Sequence, residues 1–65
     1  MQILVNGETL ATDARTLDEL CARLGYADSK IATALNGTFV AASQRISTQL
    51  TQADEIEIVA PRQGG

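Results

Sequence analysis

The chain has 65 residues, a formal net charge of -3, no His, no Trp and one Cys, which bounds it to one small domain with no internal disulfide and no Cys/His metal site. At this length only about 60% of the unfolded chain's surface is buried on folding, so a core of one sheet layer and one helix is expected, without a large substrate cavity. Arg15, Arg23, Lys30, Arg45 and Arg62 are scattered, which argues against nucleic-acid binding, and no apolar run approaches the ~20 residues of a membrane span.

The opening Met1-Gln2-Ile3-Leu4-Val5 lacks the basic start of a signal peptide, and with one unpaired thiol the expected location is cytoplasmic. Gln2-Ile3-Leu4-Val5, the pair Asn6-Gly7 and the alternating Glu8-Thr9-Leu10-Ala11-Thr12 predict a hairpin, because Asn and Gly tolerate the positive φ of a type I′ turn. A helix over Leu17 to Leu24 follows. Thr16 is its N-cap, Glu19 completes a capping box, Asp18 and Glu19 suit the positive end of the dipole, and Gly25 supplies a left-handed stop. Leu17, Leu20, Cys21 and Leu24 share one helical face. Cys21 on that stripe reads as a small buried hydrophobe rather than a redox group.

After the polar Asp28-Ser29-Lys30, the run Ile31-Ala32-Thr33-Ala34-Leu35, a second Asn36-Gly37 pair and Thr38-Phe39-Val40 predict a second hairpin. Ala41 to Gln52 has no clean period, and Ile46 and Leu50 are its expected core anchors. Asp54 marks a turn and Glu55-Ile56-Glu57-Ile58-Val59 alternates as a final strand. Pro61, which has no N–H to give a ladder, stops that strand near Ala60.

This order predicts an α+β domain over residues 1–60, a mixed sheet with the helix across one face, followed by a flexible tail over 61–65. The last strand should lie centrally, beside the first and parallel to it. If Ile3, Val5, Ile56 and Ile58 face the helix, Leu4 and Val59 face away. With Phe39 they form a candidate docking patch for a partner. Gly64 and Gly65, without Cβ atoms, make the tail thin enough for a narrow channel, with the Gly65 carboxylate leading. No side chain reads as catalytic: Asp13, Asp18, Glu19 and Asp28 lack a partner base or pocket, and neither GxGxxG nor GxxxxGK[ST] occurs.

Four segments carry a resemblance to a known family. Met1-Gln2-Ile3-Leu4-Val5-Asn6-Gly7, Leu35-Asn36-Gly37, Asp54-Glu55-Ile56-Glu57-Ile58-Val59 and Gly64-Gly65 together resemble the thiamine-biosynthesis sulfur carriers, the ThiS family of ubiquitin-like β-grasp proteins, over essentially the whole chain. The resemblance implies a β-grasp sheet of about five strands with one main helix, and a carrier rather than an enzyme. A ubiquitin-activating-type (ThiF-like) adenylyltransferase would use ATP to turn the Gly65 carboxylate into an acyl adenylate. A sulfur donor would then leave a thiocarboxylate for a ThiG-like thiazole synthase. The chain itself would bind no cofactor, and Gly64 and Arg62 would serve tail recognition, with Arg62 either paired with an acidic groove or simply a solvated tail charge. Such activation is chemically necessary, since an α-carboxyl of pKa about 3.3–3.7 is an anion and a poor electrophile at neutral pH.

Three alternatives stay open: the small subunit of molybdopterin synthase, a ubiquitin-like protein modifier, and a binding module with an inert tail. Two departures from the family pattern stand out. Ala53 precedes Asp54 where the family often has Gly, which bears on the geometry of that turn. Ala41-Ala42 stand where Pro and a basic residue are common, which bears on partner contacts in that loop.

Overall fold

The computed structural model describes residues 1–27 and 30–61. Each Asn-Gly pair reverses the chain with both residues at positive φ, 51° and 83° at Asn6-Gly7 and 50° and 84° at Asn36-Gly37. This is the type I′ pattern, whose twist matches that of the strands it joins. The first turn joins β1 (Gln2–Val5) to β2 (Glu8–Ala11), and the second joins β3 (Ala32–Leu35) to β4 (Thr38–Val40). The final strand, β5 (Glu55–Val59), lies between the hairpins in the order β2-β1-β5-β3-β4, parallel to β1 and antiparallel to β3. The mixed five-stranded β-grasp sheet and its central last strand are as expected.

The helix α1 (Leu17–Arg23) supplies the other half of the core. Ile3, Ile56 and Ile58 from the sheet meet Leu17, Leu20 and Cys21, with Ala14, Val40 and Leu50 completing the buried cluster and Val5 half-buried against it. The helix face of the sheet is therefore the one the alternation indicates.

Three local expectations need correction. The helix closes one residue early, with Leu24 as its C-cap and 38% exposed. Gly25 at φ 90° lets its N–H reach Ala22 O and lets Tyr26 N–H reach Cys21 O, a Schellman closure. That closure lays Tyr26 against the core in place of Leu24. The capping box is half as expected. Glu19 N–H donates to Thr16 Oγ1 at 3.1 Å, but the Glu19 carboxylate accepts from Arg15 N–H at 2.6 Å instead of from the cap residue.

The third correction is Ile46. It lies in a 3₁₀ segment (Ala42–Ser47) and is 70% exposed, whereas Leu50 is buried as expected. The Ser47 and Thr48 hydroxyls donate back to Gln44 O, competing with the α-helical pattern. At three residues per turn, neighbours point about 120° apart. The residue aimed inward is Arg45, whose Nε donates to the buried Thr33 Oγ1 at 3.0 Å and whose Nη2 donates to Ile31 O at 2.7 Å.

The turn asparagines also fasten β5 with their side chains. Asn36 Oδ1 accepts from Glu55 N–H at 2.9 Å, and its Nδ2 donates to Asp54 Oδ1 at 3.0 Å. Asn6 Oδ1 accepts from Ile58 N–H at 2.8 Å, and its Nδ2 donates to Ile58 O at 3.2 Å. Partial burial pushes the Asp54 carboxyl up, but the hydrogen bonds from Asn36 and Thr51 outweigh it and hold the group below its ordinary value of 3.8.

In the turn before β5, Ala53 sits at φ 70°, and its N–H donates to Gln2 O at 2.8 Å. Ala53 is thus held in the left-handed region, which costs a side-chain-bearing residue roughly 1–2 kcal/mol. Ala53→Gly should relieve that strain while giving up ~0.4–1 kcal/mol through the freer unfolded chain. The expected outcome is a net gain of roughly 0.5–1 kcal/mol, read as a higher urea midpoint at unchanged slope; a lower midpoint would contradict the strain.

Candidate functional site

The face of the sheet away from α1 is read directly from the register. Opposed residues point to the same side, so Leu4 shares this face with Thr9 and Glu55, Val59 with Ala32, and Phe39 with Ala34 and Glu57. Phe39 is 70% exposed and Val59 63%, while Leu4 is half-buried. Phe39 and Val59 stand on either side of β3, two residues out of step: Phe39 lies across Ala34 from Glu57, and Val59 lies beside Ala32. The small Ala32 and Ala34 lie between them as the floor of a shallow trough, apolar at Val59 and edged by the exposed Glu57 opposite Phe39.

Leu4 is not part of that trough. Its neighbour on β5 is Glu55, and Val59 lies four residues farther along that strand, about 13 Å at the rise of a β-strand. The exposed Glu57 stands between them. The trough continues past the end of β5 as a depression lined by Lys30, Ile31, Ala32, Val59 and Pro61. Ala32 and Ala34 do not stand out in the sequence because alanines carry little hydrophobic signal of their own. Their importance comes from the Phe39 and Val59 that flank them, which only the register reveals.

β5 ends at Val59, and Ala60 and Pro61 are exposed. Arg62, Gly64 and Gly65 lie outside the described residues. Among the described residues, no three His, Cys, Asp or Glu groups approach closely enough to hold a metal ion. Among the same described residues, no helix is long and apolar enough to cross a membrane.

Of the carboxylates singled out in the sequence, Asp28 lies outside the described residues. Asp13 is paired with Arg23, whose guanidinium holds the carboxyl below its ordinary range, and Arg23 also reaches Glu19 at 3.6 Å. These are exposed surface pairs, a class that contributes little to stability. A depression of about 280 Å³ between the first hairpin and the end of α1, lined by Val5, Glu8, Leu10, Leu24 and Tyr26 among others, presents no nucleophile with a base beside it. Cys21 is buried, and desolvation pushes its thiol above the ordinary 9.0, with the Arg45 charge opposing the shift.

The ThiS family model matches residues 2–65. Among solved structures, the chain is similar to the thiamine biosynthesis protein (ThiS) from Geobacter metallireducens, with 25% identity and a TM-score of 0.83 over 100% of both chains. No curated protein matched the chain.

The Cys21 environment gives a test of its inert role. A thiol whose proton is held more tightly in the folded state contributes stability that is full below the unfolded value and declines as pH rises past 9.0. Iodoacetamide at neutral pH should therefore modify the native protein at least ~10²-fold more slowly than the urea-unfolded chain, since the thiolate is the nucleophile. Cys21→Ser should lower stability by about 1–3 kcal/mol through its buried hydroxyl. Rapid alkylation of the folded protein would reverse this assignment.

Proposed function

Because the chain belongs to the ThiS family, the sulfur carriers of thiamine biosynthesis, we propose that its Gly65 carboxylate is adenylated at the expense of ATP and then converted to a thiocarboxylate that supplies sulfur for thiazole formation. The observation that carries this reading is the family match through residue 65 on a β-grasp body whose central strand leads into the Gly-Gly tail. The carboxylate is a poor electrophile until phosphate chemistry gives it a leaving group. The cations and donors that stabilise that chemistry belong to the partner. The proposed partners are a ThiF-like adenylyltransferase, a sulfur donor and a ThiG-like thiazole synthase, with Gly64 and Arg62 recognised in the partner's channel.

The trough walled by Val59 and Phe39 is the proposed docking surface, six residues from Gly65. Leu4 contributes at a separate point of the same face, across Glu55 and Glu57. Exposed apolar residues beside a reactive end give a partner a handle that also fixes how far the tail reaches.

Intact mass of the carrier from cells should show an oxygen-to-sulfur exchange. Attached protein would favour a modifier instead. Deleting Gly65 should abolish adenylation while leaving the circular dichroism spectrum unchanged. One residue retracts the carboxylate by ~3.5 Å, far more than reacting geometry tolerates, so normal turnover by the truncated chain would sink the proposal.

Val59→Asp should weaken binding to the adenylyltransferase at least ~10-fold, since burying such a side chain at an interface contributes roughly 1.5–3 kcal/mol and 1.4 kcal/mol is one decade. The fold should persist, because Val59 lies on the helix-free face. A titration of mutant against wild type with equal affinities would reject the trough as the contact.

A further inference from the structure

β1 is shorter than the strand it supports. Its pairing with β5 stops at Val5 opposite Ile56, and the chain then turns away through Asn6-Gly7 into β2. β5 continues through Glu57, Ile58 and Val59. Along it, backbone groups alternate between the two neighbours. Glu55, Glu57 and Val59 turn towards β3, where Glu57 opposes Ala34 and Val59 opposes Ala32. Ile56 and Ile58 turn towards β1. Asn6 N–H meets Ile56 O at 2.9 Å, and there the β1 backbone ends. Ile58, one step closer to the tail, has no β1 residue to pair with.

The Asn6 side chain fills that step. Its primary amide carries a donor and an acceptor, as a peptide unit does. It accepts from Ile58 N–H at 2.8 Å and donates to Ile58 O at 3.2 Å, so it satisfies the two backbone groups that a longer β1 would have met. Few residues suit the position. The backbone is at φ 51°, which Asn and Gly tolerate and most side chains do not. Gly would keep the turn but has no amide, and Asp would keep the acceptor but lose the donor.

We propose that Asn6 is a positioning residue for the carrier reaction, its amide holding the root of the tail from which the Gly65 carboxylate is presented. The inference rests on the carrier reading given above. Ile58 held by Asn6 and Val59 paired with Ala32 are the last ties on the two sides of β5 before Ala60 and Pro61, and Pro61 has no N–H to add another. Val59 is also a wall of the docking trough. A loosened Ile58 therefore disturbs the docking contact and the point from which reach is measured at the same time.

The fold supplies its own control. Asn36 occupies the same turn type at φ 50° and also holds β5 by its side chain, but at Asp54 and Glu55, the end away from the tail. A merely structural clamp would make Asn6→Gly and Asn36→Gly equivalent. The test uses the full chain with each of these variants and Asn6→Asp, read by amide hydrogen exchange at Ile58 and by ATP-dependent adenylation with the ThiF-like partner.

Asn6→Gly should speed Ile58 exchange at least ~10-fold beyond any change in global stability, because a local opening is then sufficient for exchange. It should also lower the adenylation rate by at least ~3-fold, given that misplacements of about 1 Å can cost 10²-fold. Asn36→Gly should do neither, and Asn6→Asp, with the acceptor retained, should fall between. Equal behaviour of the two glycine variants in both readouts would overturn the proposal. So would Asn6→Gly adenylating at the wild-type rate. If the wild-type chain is not adenylated at all, the carrier reading fails, and the tail-root clamp is then judged by Ile58 exchange alone: selective acceleration in Asn6→Gly upholds it, and its absence overturns it.

Discussion

The seating of β5 between β1 and β3 is the constraint on which the rest of this small fold depends. Neither hairpin has a core of its own, and a two-stranded hairpin is marginal in water. β5 joins them and brings Ile56 and Ile58 into the buried cluster that Ile3, α1 and Leu50 share. It is held on one side by an antiparallel ladder of four residue pairs with β3. On the other it has only the short parallel ladder with β1, two register pairs long. The shortfall is made up by side chains, Asn36 at the start of the strand and Asn6 near its end.

A chain of this size cannot fill every gap with hydrophobic bulk. The 3₁₀ segment shows what it does instead. Arg45 lays its guanidinium across Thr33 and Ile31, and the buried Thr33 hydroxyl passes its own hydrogen to Val40 O at 2.9 Å. No buried side-chain polar atom among the described residues is left without a partner. A satisfied polar network of this kind ties a loop to a hairpin where leaving any member unmet would be costly. The same strand β3 forms the floor of the trough, so Arg45 braces from within the surface that Phe39 and Val59 wall from outside.

Those features divide cleanly by how local their causes are. Both Asn-Gly turns, the helix start at Thr16, the alternation of β5 and the face that meets α1 were legible because each is written in neighbouring residues. Leu24 was misassigned because the helical spacing continues through it, while the Gly25 closure substitutes Tyr26. Ile46 was taken as an anchor on hydrophobicity, while the anchor is its charged neighbour Arg45, whose partners lie twelve and fourteen residues away. Leu4 was grouped with Val59 and Phe39 because all three leave the helix face. Their separation is a matter of register, which no single strand encodes. The second task of the turn asparagines was hidden for the same reason: Asn6 meets a residue 52 positions distant.

A central strand that follows both hairpins in the chain ties foldedness to synthesis having passed through it. During synthesis the first hairpin, the helix and the second hairpin emerge before β5 exists, and until it arrives β1 and β3 present open edges. The defining contacts span about fifty residues, as between Gln2 and Gln52, so they close late and at a high loop-entropy cost. A product terminated before Ile56 would lack both the joining strand and its core isoleucines, and would be exposed to proteolysis as an unfolded chain.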